Sequence, residues 1–565
     1  MTTDKRSKVE AIKENSQYLR GKLNQELAEA TTHFPEESIQ LLKFHGTYQQ
    51  DDRDQRKELK DAGQEPNYSF MIRTKNPGGY APAAFYLAMD RLADTLGTGT
   101  LRVTTRQGLQ LHGVHKANLR EAIATIAQNL GTTLGACGDI NRNVMAPPAP
   151  FTSRPYTIAR EASVRLAELL TPHTGAYYEI WQDEQKVFTS EAEVEPIYGK
   201  TYLPRKFKIA VAVPGDNSVD IYTNDLGVVP VFDDEELLGY NLAAGGGLGV
   251  THAKPETFPR LADHLGFVLP EDLLDAARAV VLVQRDFGER YNRRHARLKY
   301  LIHDRGLDWF RGKVEEYLGK PLEPWRELPV WGFQDYLGWH PQGDGKLFLG
   351  IYIENGRIKD DGTFRLKTAL RQIVERFSPD LYLSPNHNAL LVDILPEQQA
   401  PIDAILRDCG VRSIGEVSNA ERYAMACPAL PTCGLALTES ERALPGIIDE
   451  IGTRLQELGL QDEKITVRMT GCPNGCARPY AGEIGFVGSG VNAYNLYLGG
   501  NLSSTRLNVL YQERVKREEI MGILGPLFAY FKQNRQGTES FGDFCLRRGN
   551  EDLRAAVNRV AQPVG

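Results

Sequence analysis

Three stretches carry apolar residues at helical spacing. PAAFYLAMDRLADTLG at 82–97 is amphipathic and stops at glycine, and LREAIATIAQNLG at 119–131 does the same. KTALRQIVERFS at 367–378 is the third. Beside them lie segments with a period of two. LRVTTRQGLQLHGV at 101–114 reads as a strand, a turn at Arg106-Gln107-Gly108 and a second strand. LYLSPNHNALLVDI at 381–394 has the same rhythm, with Leu101 matching Leu381, Thr104 matching Ser384 and Gly108 matching Asn388. Glycine and asparagine tolerate positive φ, so the turn is expected to need it at Gly108 and Asn388.

The order helix, strand, turn, strand, helix predicts an α+β protein. A second echo pairs NLAAGG at 241–246 with NLYLGG at 495–500. Two echoes in the same order predict duplication of a unit of roughly 250 residues. The copies differ in chemistry. Alternation puts Arg102, Thr104, Arg106, Gln110 and His112 on one face of the first hairpin. The second hairpin has Tyr382, Asn386, Leu390 and Val392 where the first has Arg102, Arg106, Gln110 and His112. A solvated face is the ordinary fate of such polar residues, but the apolar second copy suggests that the first face serves an anion.

At 565 residues the chain exceeds one core, so several domains are expected. It is 41% hydrophobic and 25% charged with a net charge of -7, which argues against a surface built wholly for nucleic acid. No apolar run reaches the roughly 18 residues of a membrane span, and the charged start MTTDKRSKVEAIKENSQYLRG lacks a signal-peptide core. A cytoplasmic location is expected. Seven cysteines, sparse and odd in number, do not make a secreted disulfide framework.

Four of the seven form two pairs. ACPALPTCGLA holds Cys427 and Cys433, and TGCPNGC holds Cys472 and Cys476. Both lie in Gly/Pro loops rather than in apolar periodic segments, so buried thiols acting as small hydrophobes explain them poorly. Zinc knuckles space their pairs more closely than Cys427 and Cys433. The wider pair and the flanking prolines suit an iron–sulfur cubane better. Cys137, Cys409 and Cys545 lack paired spacing and are expected to be non-ligating thiols.

Two nucleotide motifs fail. GGGLGV at 245–250 ends in Val250 where a dinucleotide loop wants glycine, and the Gly199-Lys200-Thr201 of YGKTY has Val194 where a P-loop's first glycine belongs. Electrons for a redox reaction would then come from another protein. Short basic clusters also stand out: Arg73 in MIRTKNPGG, Arg142 in GDINRNVMAPP, and Arg205, Lys206 and Lys208 in YLPRKFKIAVA, with Lys206 and Lys208 on one strand face. Each alone is an ordinary surface charge, but together they can build an anion pocket.

The two cysteine motifs, with RTKNPGG, LRVTTRQGLQLHG, CGDINRNV and YLPRKFK, resemble the siroheme-dependent sulfite and nitrite reductases from about residue 14 to the C-terminus. The resemblance implies a three-lobed α+β fold with an internal pseudo-two-fold repeat. It implies a 4Fe-4S cluster on Cys427, Cys433, Cys472 and Cys476, with Cys476 also the axial ligand of a siroheme. By the same resemblance Arg102, Arg106, Gln110 and His112 contact the macrocycle or its carboxylates, and Arg73, Arg142, Lys206 and Lys208 bind the substrate oxyanion. Domains are expected as an arm at 1–64, a ferredoxin-like half-domain at 65–132, a siroheme and substrate domain at 133–325, a second half-domain at 326–400 and a cluster domain at 401–565.

Lys208 stands where nitrite reductases typically show Asn, and NRNV at 141–144 resembles the sulfite branch. The implied activity is assimilatory six-electron reduction of sulfite to sulfide, with nitrite reduction or a non-catalytic cofactor-binding relative as the alternatives. A dissimilatory enzyme fits less well, since those resemble half of this arrangement per chain. RSKVEAIKENSQYLR and SFMIRTKNPGG look like the ferredoxin-dependent enzymes; TYQQDDRD and YNLYLGGN look like the haemoprotein subunit served by an NADPH-oxidising flavoprotein. Ferredoxin is slightly favoured. RYNRRHARLKY at 290–300 is one candidate docking surface for the donor, against a solvated helix face or arginines turned inward to siroheme carboxylates. Neither nucleic acid nor membrane is an expected partner.

Overall fold

The computed structural model describes residues 6–173, 179–182, 185–189 and 195–561. The three amphipathic stretches are the helices Ala83–Thr95, Leu119–Gln128 and Leu366–Phe377, each burying one apolar stripe. Both hairpins form as expected, from Leu101–Val103 with Leu109–Val114 and from Leu381–Leu383 with Ala389–Ile394.

Each hairpin lies inside a five-stranded sheet whose last strand comes from the other copy. The first sheet runs Thr47–Asp51, Tyr68–Arg73, Leu109–Val114, Leu101–Val103, then Arg357–Ile358. The second runs Gly338–Pro341, Leu347–Ile351, Ala389–Ile394, Leu381–Leu383, then Tyr80–Ala81. This exchange covers one edge of each sheet and ties the copies together through backbone hydrogen bonds.

The turn chemistry differs from expectation. The left-handed residues are Gln107 (φ 54°) and His387 (φ 72°), one position before Gly108 and Asn388. The turn is closed by Thr104 N donating to Gly108 O at 2.9 Å, and in the other copy by Ser384 N donating to Asn388 O at 2.7 Å. Gly108 is required for space: a Cβ there would lie 2.6 Å from the Thr74 carbonyl oxygen. Gln107 bears its strain because its side chain is held by the carbonyls of Ala146 and Leu383, both at 2.8 Å.

Two further sheets repeat one pattern. Ile209–Val211 pairs parallel with Leu226–Asp233, which pairs antiparallel with Glu236–Ala244 and that with Asp263–Val268. Val467–Thr470, Ile484–Gly490, Ala493–Leu498 and Val509–Lys516 do the same, with Ala424–Ala426 added outside. NLAAGG and NLYLGG close the matching strands. Gly246 and Gly500 there press onto backbone; a Cβ would lie 2.2 Å from Tyr222 O and from Gly482 O respectively. The α+β class and the internal repeat are therefore as expected.

The superposed pattern also exposes echoes that the sequence reading missed. MAPPAPFTS at 145–153 matches MACPALPTC at 425–433, and PGDNSVDIY at 214–222 matches CPNGCARPY at 472–480. Pro147, Ser153, Pro214 and Ser218 thus stand where the second copy has its four cysteines. Asp220 and Arg478 are matching residues, both left-handed (φ 50° and 56°), and they form a salt bridge with each other where the copies meet.

Candidate active site at the junction of the copies

The cysteine loops approach each other from the ends of adjacent parallel strands. Cys427 follows Ala424–Ala426, and Cys472 and Cys476 follow Val467–Thr470. Cys427 and Cys472 are buried, Cys433 is half-buried and Cys476 is exposed. Burial pushes the Cys427 and Cys433 thiols up, with the neighbouring Cys476 adding to it, and raises Cys472 to about 11 for the same two reasons. Four thiols that feel one another in a low dielectric are costly as free thiolates and suited to a shared cationic centre. Among the described residues no three of His, Cys, Asp or Glu converge closely enough to hold a single metal ion. A lone zinc, with Zn–S near 2.3 Å, needs such convergence; a multi-iron cluster spreads its ligands more widely. Backbone and side-chain donors already point at sulfur: Gly471 N lies 3.4 Å from Cys427 Sγ and Asn474 Nδ2 3.4 Å from Cys472 Sγ.

Cys476 opens into a small cavity whose lining includes Arg106, Lys206, Lys208, Arg297 and Arg478. Arg106 is placed by the hairpin turn, donating to Asn224 Oδ1 at 2.8 Å and Ile209 O at 2.9 Å. Lys206 and Lys208 flank Phe207, whose ring turns the other way into the core, so both lysines face the cavity. Burial lowers Arg106 to about 9, with Arg142 next in effect. Burial, then Arg205 and Arg297, lowers Lys206 to about 7; burial, then Lys206 and Arg106, holds Lys208 well below the usual lysine range. No carboxylate pairs with either lysine among the described residues.

Arg73 and Arg142 do not line the cavity but lie near enough to act on it: Arg142's charge lowers Arg106 and Lys206, and Cys476 raises Arg73 against its burial. Arg142 is pinned by Gly138 O (2.9 Å) and Ala136 O (3.2 Å). Arg73 Nη1 donates to Cys137 Sγ at 3.1 Å, and its Nε donates to Gln110 Oε1 at 2.9 Å with that amide turned to face it. Gln110 thus grips Arg73. His112 is buried, both of its ring nitrogens lack a partner, and burial drives its pKa well below the ordinary value. Arg102 reaches into the second copy, donating to Ala426 O at 2.8 Å and Asn355 O at 2.9 Å. Hence the cavity gathers Arg106, Lys206, Lys208 and Cys476, the wall beside it Arg73 and Arg142, while Gln110 and Arg102 bond to protein groups.

Arg297 and Arg478 escaped the sequence reading as site residues. Arg478 is two positions after Cys476 and is held by Asp220, Pro385 O and Asn386 Oδ1. Arg297 pairs with Asp225 (Nη2 to Oδ2, 2.7 Å). It lies within the candidate docking stretch 290–300, which the structure turns inward. Arg290 pairs with Glu10, Arg293 bonds Asp139 through both nitrogens (2.6 and 2.9 Å), and buried Lys299 donates to Gly247 O and Gly249 O. Only Arg294 of these basic residues is exposed, with Arg290 and Arg293 half-buried in their ion pairs, so the arginines turn inward more than they face a docking partner.

The Nitrite and sulphite reductase 4Fe-4S domain matches residues 161–322 and 418–563, and the Nitrite/Sulfite reductase ferredoxin-like half domain matches 62–129 and 340–409. The chain belongs to the nitrite and sulphite reductase family. Within that family it is 54% identical to the ferredoxin sulfite reductase of Synechococcus elongatus, covering 97% of this chain and 90% of that one. It is 47% identical to the NADPH sulfite reductase hemoprotein beta-component of a Shewanella species, covering 97% and 98%. The solved Mycobacterium tuberculosis NirA structure superposes with a TM-score of 0.79 at 25% identity, covering 96% and 97%.

The site fits the family's cofactors on its own chemistry. The cationic cavity, the unpaired His112 nitrogens and the unpaired Arg106 Nε suit an acidic macrocycle. The four cysteines suit a cluster beneath it.

Proposed function

We propose that the chain is an assimilatory sulfite reductase that holds a 4Fe-4S cluster on Cys427, Cys433, Cys472 and Cys476 and a siroheme in the cavity that Cys476 opens into. The observation that carries this is Cys476 itself: one of four grouped thiols, exposed to a cavity whose charged lining residues are all cationic. With Cys476 among the residues that would hold them, siroheme and the cluster would supply the electrons that reduce the substrate.

The chain's own residues do the rest. Arg106 and His112, joined by Arg297 and Arg478, hold the macrocycle's acidic rim. Arg73, Arg142, Lys206 and Lys208 take the sulfite oxygens, and Gln110 keeps Arg73 aimed. Their positive charge offsets the anion in a cavity of low dielectric. Lys206, with its pKa near 7, is placed to hand over protons as the oxygens leave as water. Two unpaired lysines suit a dianion better than the single charge of nitrite. Residues 1–64 are read as an arm that also lends the first sheet its edge strand Thr47–Asp51, and within it Arg53 Nη1 donates to Cys433 O at 3.0 Å and so braces the first cysteine loop. Boundaries near 132, 325 and 400 divide the remainder.

The donor is a separate protein, and ferredoxin is the reading we favour, supported by the 54% identical ferredoxin enzyme. No helix among the described residues is long and apolar enough to cross a membrane, in keeping with a cytoplasmic site of action. The test is absorbance with activity. Purified protein should be coloured, its haem bands should shift with sulfite, and reduced methyl viologen should drive sulfide production. A colourless protein would overturn the cofactor reading, and colour without turnover would leave a binding protein. Comparing reduced ferredoxin with an NADPH-fed flavoprotein then identifies the donor.

A further inference from the structure

Arg102 is buried to 2% exposure, and its donors go to backbone carbonyls of the second copy. One of them, Ala426 O, belongs to the residue before Cys427. Arg357 stands directly beside Arg102 in the register of the neighbouring strand. Like charges opposed on a sheet repel. Glu441 meets both: 3.5 Å from Arg102 Nε, and 2.7 and 3.0 Å from two Arg357 nitrogens. Two guanidinium groups against one carboxylate leave one net positive charge, held largely out of water beside the loop that carries Cys427 and Cys433.

The duplication supplies an internal control. In the other copy the same register pair is Tyr80 and Tyr382, whose rings lie 5.4 Å apart. The loop that matches the cysteine loop there has Pro147 and Ser153. Tyrosines therefore suffice to join the sheets where the loop has no thiols, and the charged pair stands only where the thiols are.

We propose that Arg102, Arg357 and Glu441 set the reduction potential of the cluster, an inference that rests on the four cysteines binding one. A cluster becomes more negative on reduction. A buried positive charge near it favours the reduced form and raises the potential, and a carboxylate opposes this. These are positioning and tuning residues, without contact to substrate.

The experiment is a redox titration of the purified holoenzyme, followed by electron paramagnetic resonance, for wild type, Arg102→Gln, Arg357→Gln and Glu441→Gln, with iron content measured on each. Both arginine variants should lower the midpoint, and Glu441→Gln should raise it. For Arg102→Gln we expect at least a tenfold fall in the reduced-to-oxidised ratio at fixed potential, about 59 mV for a one-electron couple. Opposite signs from residues of one salt bridge are what electrostatics predicts and what general loosening of the fold would not produce. Iron-loaded variants with unmoved midpoints, or with midpoints all moving one way, would overturn the inference. If Arg102→Gln does not load, Arg357→Gln and Glu441→Gln still decide it by their signs. A wild-type protein without iron would instead bring down the cluster reading, and this inference with it.

Discussion

Replacing Lys206 by methionine keeps the side chain's length and removes its charge. Lys206 faces the cavity beside Cys476, with no carboxylate partner among the described residues. A charged donor to an anion contributes about 1.5–3 kcal/mol, so Lys206→Met should lower kcat/KM for sulfite by about 10- to 150-fold. The pH dependence is more telling. Burial first, then Arg205 and Arg297, brings the lysine down to about 7, so the protonated, anion-binding form is present below that value and lost as pH rises through it. Wild-type kcat/KM should fall above neutrality by up to tenfold per pH unit, and the variant should lack that limb. Sulfite's own protonation affects both proteins alike, so their ratio isolates the lysine. Stability has the opposite sign. A folded-state lysine pKa below the unfolded value of about 10.4 means stability rises with pH across that interval, and Lys206→Met in cofactor-free protein should flatten the rise. The assay is viologen-driven sulfite reduction from about pH 6 to 9, which spans the titration. Parallel wild-type and variant profiles, or a loss under about threefold at neutral pH, would refute the role given to Lys206.

Cys476→Ser should abolish turnover and uncouple cluster from haem, since a serine oxygen is a harder ligand and a poorer bridge; an unchanged coupling in the paramagnetic resonance spectrum would sink the bridging role. Alanine at Cys137, Cys409 or Cys545, all buried singly, should leave iron content at the wild-type level, and iron loss in any one would enlarge the ligand set. Arg293→Glu removes the bidentate partner of buried Asp139, leaving it Lys13 and Arg205 at 3.6 Å, and sets two carboxylates together, which should cost about 3 kcal/mol and lower the Tm. Ferredoxin-driven and viologen-driven rates should then fall equally; a selective loss with ferredoxin would restore the docking idea.

Much of this protein is legible along the chain. Helical and strand periodicity placed Ala83–Thr95, Leu366–Phe377 and both hairpins, because apolar stripes must face a core whatever surrounds them. Loop-borne cysteine pairs named the cluster candidates, because thiols are rare and their spacing is local. The repeat surfaced through two echoes, and two more in the cysteine loops are masked because the first copy carries no thiol at the matching positions. Turn geometry was misjudged at Gly108, where a carbonyl across the sheet, and not φ, demands glycine.

Charge was where the chain alone fell short. Nothing in RYNRRHARLKY says that Arg293 finds Asp139 and Arg297 finds Asp225 while Arg294 faces solvent. Nor does the spacing of 102 and 110 tell that Arg102 braces Ala426 while Gln110 turns to Arg73. Side-chain type and local period determine which residues can carry a charge or bind a metal, since both are properties of a few neighbouring positions. Which charges stay in water, which are neutralised and which are left facing a cavity depends on partners distant in the sequence, beyond the reach of any local pattern. Only the folded chain brings those partners together, within one copy for Arg293 with Asp139 and Arg297 with Asp225, and across the two copies for Arg102 with Ala426.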